Sequence, residues 1–153
     1  MKKFRYNLEN ILQVKLKLED QAKIAYGNAR LRLTTEEQKL EQLKASEASY
    51  ENEMRSLRSS RLDIVKIKQC AEAIEIMKQS VKQQMVAVKN AEQRLEIARI
   101  RLNEAIVERK IQEKLKENAF ADYMHEFETE EQKEIDELNS FHYSNPAPDE
   151  EDR

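Results

Sequence analysis

The sequence predicts an all-α protein: a long antiparallel two-helix coiled coil, or helical hairpin, with an overhanging C-terminal helix and a disordered tail. The usual helix breakers are almost missing, because the 153 residues include one glycine and two prolines. The 75 residues from Ile64 to Leu138 contain neither, and one helix of that length would reach about 110 Å. Apolar and small residues recur along this run at steps of three and four, which is typical of a coiled-coil seam.

The first helix is predicted over residues 7–59, with Asn7 as its N-cap and Glu9 in its first turn. Gly27 lies inside this helix and costs about 1 kcal/mol relative to alanine. The apolar residues expected to face the partner helix are Leu8, Ile11, Leu18, Ala22, Ala25, Ala29, Leu33, Leu40, Leu43, Tyr50, Met54 and Leu57.

A polar stretch at about residues 59–63 is predicted to be the turn, and Ser60 or Asp63 is expected to cap the second helix. Folding the chain near residue 61 places apolar residues of the two helices opposite one another. One continuous helix, a break several residues away, and a seam completed by a second chain are the alternatives. The seam expected on the second helix, residues 63–141, is Ile67, Ala71, Ile74, Met77, Val81, Met85, Val88, Ala91, Leu95, Ala98, Leu102 and Ala105.

The same arrangement leaves the residues after about Asn118 with little opposite them except Phe4 and Tyr6. An apolar face on an unpaired helix favours a binding surface, although residues 1–6 folding over part of it is the alternative. Residues 1–141 are therefore predicted to be one hairpin domain, and residues 142–153 a disordered acidic tail. The apolar face is made by Phe120, Tyr123, Met124 and Phe127, and a weaker trace continues with Ile135, Leu138 and Phe141.

Composition and charge narrow the class of protein. No stretch approaches the roughly 20 apolar residues that span a bilayer, and the N-terminus lacks the apolar core of a signal peptide. With a single cysteine, the chain forms no internal disulfide, and together these features favour a cytosolic protein with no direct membrane insertion. Residues 1–116 carry 25 Lys and Arg against 17 Asp and Glu, whereas residues 117–153 carry 13 acids against two bases. The two regions therefore present opposite electrostatic fields to partners.

Basic side chains also gather around the predicted turn. An acidic protein, a phosphate or a membrane surface would fit them, whereas nucleic acid is disfavoured because no aromatic residue is present to stack on bases. These basic residues are Arg55, Arg58, Arg61, Lys66 and Lys68.

No motif in the chain indicates catalysis. One glycine is too few for a phosphate-binding loop or a dinucleotide fingerprint. His125 and His142 are too far apart for a helical metal pair, and no carboxylate near His125 has the spacing that would place it on the same face. Cys70 is expected to be a small buried hydrophobe because no histidine stands near it. We therefore expect no enzymatic activity, no metal site and no cofactor.

Several segments resemble a known family. Residues 4–12 read FRYNLENIL, which resembles an F-x-[FY]-x-L-x-x-[LIV]-L opening. The C-terminal half adds Arg109-Lys110, the LKE of residues 115–117, Tyr123 and the EIDEL of residues 134–138, followed by aromatic residues. On these residues the chain resembles the flagellar FliJ family over nearly its full length, with Lys15 where the family more often has arginine.

The resemblance implies a non-enzymatic component of the bacterial flagellar type III protein export apparatus. Such proteins form an antiparallel coiled coil similar to the central stalk of rotary ATPases. The resemblance implies that the terminal end binds the hexameric flagellar export ATPase and that the protein engages the cytoplasmic region of the export gate membrane protein. It also implies recruitment of export chaperones and a cytoplasmic location, peripheral to the cell membrane at the flagellar base.

The predicted overhang and this family reading together give two sets of candidate residues. A generic scaffolding coiled coil and a stalk subunit of a vacuolar-type rotary ATPase are the alternative functions. Residues expected to contact the ATPase are Phe4, Tyr6, Phe120, Tyr123, Met124 and Phe127. Residues expected to contact the export gate are Tyr50, Met54, Ile67, Cys70 and Ile74.

Overall fold

Two helices make up the fold in a computed structural model of the chain, which describes residues 3–144. Helix α1 spans Glu9–Ser59 and helix α2 spans Ile64–Ser144. The two helices pack against each other, and no strand occurs between residues 3 and 144. The prediction of an all-α helical hairpin is therefore confirmed.

The first helix begins two residues later than predicted. The Glu9 amide donates to the Tyr6 carbonyl at 3.1 Å, which forms a turn before the helix. The first bond of α-helical spacing runs from the Leu12 amide to the Leu8 carbonyl, so Leu8 rather than Asn7 occupies the capping position. Glu9 still lies in the first turn, where its charge is favourable against the helix dipole.

Residues 60–63 connect the helices, and Asp63, one of the two predicted caps, starts α2. Its carbonyl accepts from the Ile67 amide at 3.0 Å, and its Oδ1 accepts from the Lys66 amide at 3.3 Å. At the other end, α2 continues through residues 142–144, which were predicted to belong to the tail. No proline disfavours the helical conformation before Pro146, so nothing stops the helix earlier. The rest of the predicted tail, residues 145–153, lies outside the described residues.

The chain divides into two compact units. Unit 2 is Lys17–Ile106, and it contains the turn. Unit 1 combines Met1–Leu16 with Val107–Arg153, of which residues 3–16 and 107–144 are described.

Unit 2 is held together by a seam with the heptad alternation of three- and four-residue steps. The steps alternate regularly in both helices, so the seam residues stay on the side of each helix that faces its partner. Direct contacts fix the antiparallel alignment: the Cys70 thiol donates to the Tyr50 carbonyl, and the Gln84 amide donates to the Glu36 carbonyl. On α1 the seam positions, all buried or half-buried, are Glu19, Ala22, Tyr26, Ala29, Leu33, Glu36, Leu40, Leu43, Glu47, Tyr50, Met54 and Leu57.

The predicted stripe of α1 is partly wrong. Leu18 and Ala25 are exposed, and they stand one residue before the seam positions Glu19 and Tyr26. One residue corresponds to a rotation of about 100° around the helix, so the side chains chosen for their apolarity point away from the partner helix. Glu19 instead is 5% exposed and receives an ion pair from Lys23 at 3.3 Å. On α2, Ala71 and Met85 of the predicted seam are exposed as well.

Unit 1 pairs the start of α1 with the second half of α2. Leu12 is its buried hydrophobic residue, whereas Leu8 and Ile11 of the predicted α1 seam, and Leu115 on α2, are more than 40% exposed. Two ion pairs cross between the helices: Lys15 to Glu108 and Lys116 to Glu9, both 2.8 Å from nitrogen to oxygen. Fewer apolar side chains are therefore buried in this unit than predicted, and ion pairs at the surface contribute to its packing.

Candidate partner-binding surfaces

Ring contacts in unit 1 join four of the residues expected to contact the ATPase, Phe4, Phe120, Tyr123 and Phe127. We call these four, together with Tyr6 and Met124, the terminal aromatic cluster. The segment before α1 reaches α2, and the Phe4 ring meets the edge of Phe120 at 5.1 Å between centroids. Phe4 also lies 5.3 Å from Tyr123, and Tyr123 stacks on Phe127 at 6.4 Å. The structure therefore brings together rings that are more than 110 positions apart in sequence.

This cluster is only partly covered. Phe120 is 48% exposed, and Phe4, Tyr6, Tyr123, Met124 and Phe127 are half-buried. The N-terminal segment folds over part of the face, as one alternative predicted, and leaves the rest open to solvent. Binding of a partner by the open part stays a prediction. Aromatic pairs at these distances contribute about 0.5–1.5 kcal/mol beyond their buried area, enough to fix the rings in place.

An open groove beside the cluster is lined by both signs of charge. Lys3 and Arg5 lie on its N-terminal side, and Asp122, Glu126 and Glu130 on its α2 side. None of these five residues was among the predicted binding residues, although the acidic ones repeat at a spacing of four along the side of α2 next to the aromatic face. The groove therefore combines an apolar floor with charged rims, which is the usual anatomy of a protein interface.

Beyond Phe127 the helix has no packed face. Every residue from Glu128 to Ser144 is exposed, including Ile135, Leu138 and Phe141. Their spacing of three keeps them near one side of the helix, as the weaker apolar trace predicted. This part of α2 is an acidic, partly apolar helix available for a partner.

Residues at the edge of unit 1 tie the two helices together electrostatically. The Glu9 carboxylate accepts hydrogen bonds from Lys116 and from Gln13, and these bonds lower the pKa of Glu9 below its usual value. Such donors favour the ionised form of the Glu9 carboxyl group.

The residues expected to contact the export gate lie in the seam of unit 2. Met54 is 7% exposed and Cys70 is 6% exposed, whereas Tyr50, Ile67 and Ile74 are half-buried. The Cys70 thiol lies 3.3 Å from the Tyr50 carbonyl, and burial, with a smaller contribution from the charge of Glu53, raises the pKa of the thiol. Met54 and Cys70 therefore support the surface from beneath, and only the other three present side-chain area to solvent.

The connection between the helices and the first turn of α2 present exposed aliphatic side chains, in a region where the prediction concerned only positive charge. Leu62, Ile64 and Val65 are 71%, 77% and 65% exposed. The sequence contains a signal for this exposed surface, because three aliphatic residues lie at or directly after the predicted turn, where the helices do not cover one another. We call residues 58–68 the hairpin tip.

Neither a cluster of potential metal ligands nor a membrane-spanning helix occurs among the described residues. No group of three or more potential metal ligands comes together within residues 3–144. Over the same residues, neither helix has a segment apolar enough and long enough to traverse a bilayer.

Comparison with known proteins identifies the family. The family model of the flagellar FliJ protein matches residues 4–147. Among solved structures, the chain is similar to a proposed YscO homolog, CT670, from Chlamydia trachomatis. The similarity has a TM-score of 0.77 and 26% sequence identity, and it covers 93% of this chain and 96% of that chain. A search of curated protein sequences finds no match. The chain therefore belongs to the FliJ family of flagellar proteins, which are components of the type III export apparatus.

Proposed function

We propose that this protein is a non-enzymatic stalk that binds the hexameric flagellar export ATPase through the terminal aromatic cluster. The observation that carries the proposal is the ring cluster of unit 1, which is fixed by contacts at 5.1–6.4 Å yet remains open to solvent. Aromatic side chains held in this way lose little entropy on binding, which makes them common anchors of interfaces. The acidic helix from Glu128 to Ser144 extends the same surface.

The second contact of the proposed stalk is with the cytoplasmic region of the export gate membrane protein. It uses the accessible parts of Tyr50, Ile67 and Ile74, with Met54 and Cys70 holding them from within the seam. This surface belongs to unit 2, and the ATPase surface belongs to unit 1, so the two partners do not compete for the same residues. Export chaperones are a further class of partner, and the working location is the cytoplasmic face of the membrane at the flagellar base.

The test measures the steady-state activity of the cognate export ATPase with and without the protein. We expect stimulation at one chain per hexamer, because a stalk acts on the whole ring. The double variant Tyr123→Ser/Phe127→Ser removes the stacked pair, and we expect it to lose ATPase binding and stimulation while keeping its helicity by circular dichroism. Unchanged affinity of this variant would reject the assignment of the aromatic cluster.

A matched control uses two exposed aliphatic residues of unit 2. Ile24 and Leu31 are 64% and 69% exposed, so Ile24→Ser/Leu31→Ser removes comparable apolar surface outside the cluster. We expect normal ATPase stimulation from this control. If the unaltered protein does not stimulate an assembled hexamer, the generic scaffolding coiled coil becomes the better interpretation, because a scaffold requires no effect on turnover.

A further inference from the structure

The hairpin tip combines exposed aliphatic side chains with concentrated positive charge. Leu62, Ile64 and Val65 stand within four positions, each at least 65% exposed. Asp63 between them is engaged with the start of α2, where its carboxylate accepts from the Lys66 amide. These apolar side chains are therefore exposed at the end of the connection and in the first turn of α2, where the Asp63 carboxylate is bonded to the backbone.

The charge around these aliphatic residues is strongly unbalanced. Between positions 55 and 68 the chain carries five basic residues and one acid, Asp63. All five basic side chains are exposed, and Arg55 donates to the side chain of Asn52 at 3.5 Å. The tip thus presents exposed aliphatic side chains flanked in sequence by exposed basic side chains.

We propose that the hairpin tip adsorbs to an anionic lipid bilayer. Leu62, Ile64 and Val65 enter the boundary between headgroups and acyl chains, and Arg58, Arg61 and Lys66 contact lipid phosphates. Shallow burial of apolar residues with electrostatic attraction from neighbouring bases is the general mode of peripheral membrane binding. It requires no spanning helix, in keeping with the absence of one within residues 3–144.

Size and composition favour a bilayer over an acidic protein. A stable protein interface uses roughly 20–30 residues a side and is anchored by aromatic residues. The tip offers only residues 58–68, with no aromatic residue among them. A bilayer accepts a small convex surface of this kind, because lipids move to surround it. This contact goes beyond the proposed binding of the ATPase and the gate.

The test is co-sedimentation of the full chain with vesicles that contain no protein. We expect binding to vesicles of mixed phosphatidylglycerol and phosphatidylcholine, and none to phosphatidylcholine alone. Replacing Arg58, Arg61 and Lys66 by glutamine should weaken partitioning roughly fivefold per residue, since each base near an anionic surface contributes about that factor. Leu62→Ser/Ile64→Ser/Val65→Ser should weaken it at least tenfold, and Ile24→Ser/Leu31→Ser should not change it.

Three outcomes would overturn the proposal. The first is the absence of binding to anionic vesicles by the unaltered chain. The second is equal binding by the aliphatic tip variant, which would show that charge alone is sufficient and that Leu62, Ile64 and Val65 do not enter the bilayer. The third is equal binding by the glutamine variant, which would place the contact elsewhere in the chain. Because the vesicles contain neither ATPase nor gate, these results are independent of the proposed stalk function.

Discussion

The two units of the chain use their helices differently. In unit 2 both helices contribute to one regular seam, with Met54, Cys70, Val81 and Ala91 among its buried residues. In unit 1 the pairing depends on Leu12, two ion pairs and half-buried rings, and α2 has no packed face after Phe127. The difference teaches that unit 2 mainly supplies stability, whereas unit 1 keeps apolar and charged side chains available for a partner.

The strongest test of this difference between the units truncates one buried side chain in the unit 2 seam. Met54→Ala should destabilise the protein by about 2–5 kcal/mol, because a buried side chain is lost and the cavity collapses only in part. Urea unfolding followed by circular dichroism measures the change. Ile64→Ala is the matched control at a residue 77% exposed, and we expect it to remain within about 0.5 kcal/mol of the unaltered protein. Equal losses in the two variants would contradict a stabilising role for the seam.

The polar layer of the same seam tests whether unit 2 is optimised for stability alone. The Gln84 amide donates to the Glu36 carbonyl at 2.9 Å and also to the Glu36 carboxylate. Gln84→Leu alone should cost about 1 kcal/mol, because it leaves the half-buried Glu36 without these donors. Glu36→Leu/Gln84→Leu should instead gain about 1.5 kcal/mol or more, since two leucines complete the apolar layer.

The opposite signs of these two effects would show that the polar pair limits stability while fixing the register of the helices, as polar seam residues do in other coiled coils. Denaturant midpoints give the sign for each variant. If the double variant is also destabilised, the Glu36–Gln84 pair contributes more to the free energy of unfolding than two leucines would, and the proposed limit on stability is wrong.

Much of the fold follows from the sequence, because near-absent glycine and proline with heptad spacing leave few alternatives to paired helices. The face of α1 was harder to predict. Ile11, Leu18 and Ala25 form an apolar series, yet the seam takes Leu12, Glu19 and Tyr26, one residue further on. Assigning the most apolar positions to the seam gives the wrong face here, because the seam includes an acidic residue. Glu19 occupies a seam position and forms an ion pair with Lys23.

The candidate sites were predictable in part for a similar reason. The aromatic face of α2 could be read from local spacing, because its residues lie within two turns of one helix. The contact of Phe4 with Phe120 depends on how the segment before α1 turns back, which local spacing does not determine. Burial of Met54 and Cys70 likewise depends on which side of each helix meets the other, so sequence patterns alone could not separate seam from surface there.

Gly27 allows a smaller test within unit 2. A methyl group added at its Cα would meet nothing within 4 Å, and its φ is not in the left-handed region. Glycine therefore serves no close approach here, and Gly27→Ala should stabilise the protein by about 0.5–1 kcal/mol through lower entropy of the unfolded chain. A rise in the thermal midpoint checks this, with Ala29→Gly as the reverse substitution in the seam. A loss of stability in Gly27→Ala would mean that a bend at this position matters.

The smallest expected effect concerns acid stability and separates the units by their ion pairs. The hydrogen bond from Lys116, with a second one from Gln13, lowers the pKa of Glu9, and this pair joins the two helices of unit 1. Arg99 likewise lowers the pKa of Glu96, but those two residues lie three positions apart in α2. A lowered carboxyl pKa contributes stability that is complete above the ordinary value, about 4.3 for glutamate, and is lost as the pH falls through the lower folded value.

Lys116→Met should therefore raise the pKa of Glu9 towards the ordinary value, while Gln13 retains part of the shift. Carboxyl carbon NMR titration measures this change directly. The stability difference between variant and unaltered protein should be larger at pH 7 than at a pH below the folded pKa of Glu9, because protonated Glu9 no longer attracts Lys116. Arg99→Met should raise the pKa of Glu96 in the same way. It should lower the unfolding midpoint less than Lys116→Met does, since an ion pair three positions apart in one helix contributes little and does not hold two helices together. A pH-independent effect of Lys116→Met would mean that its aliphatic stem, rather than its charge, stabilises unit 1.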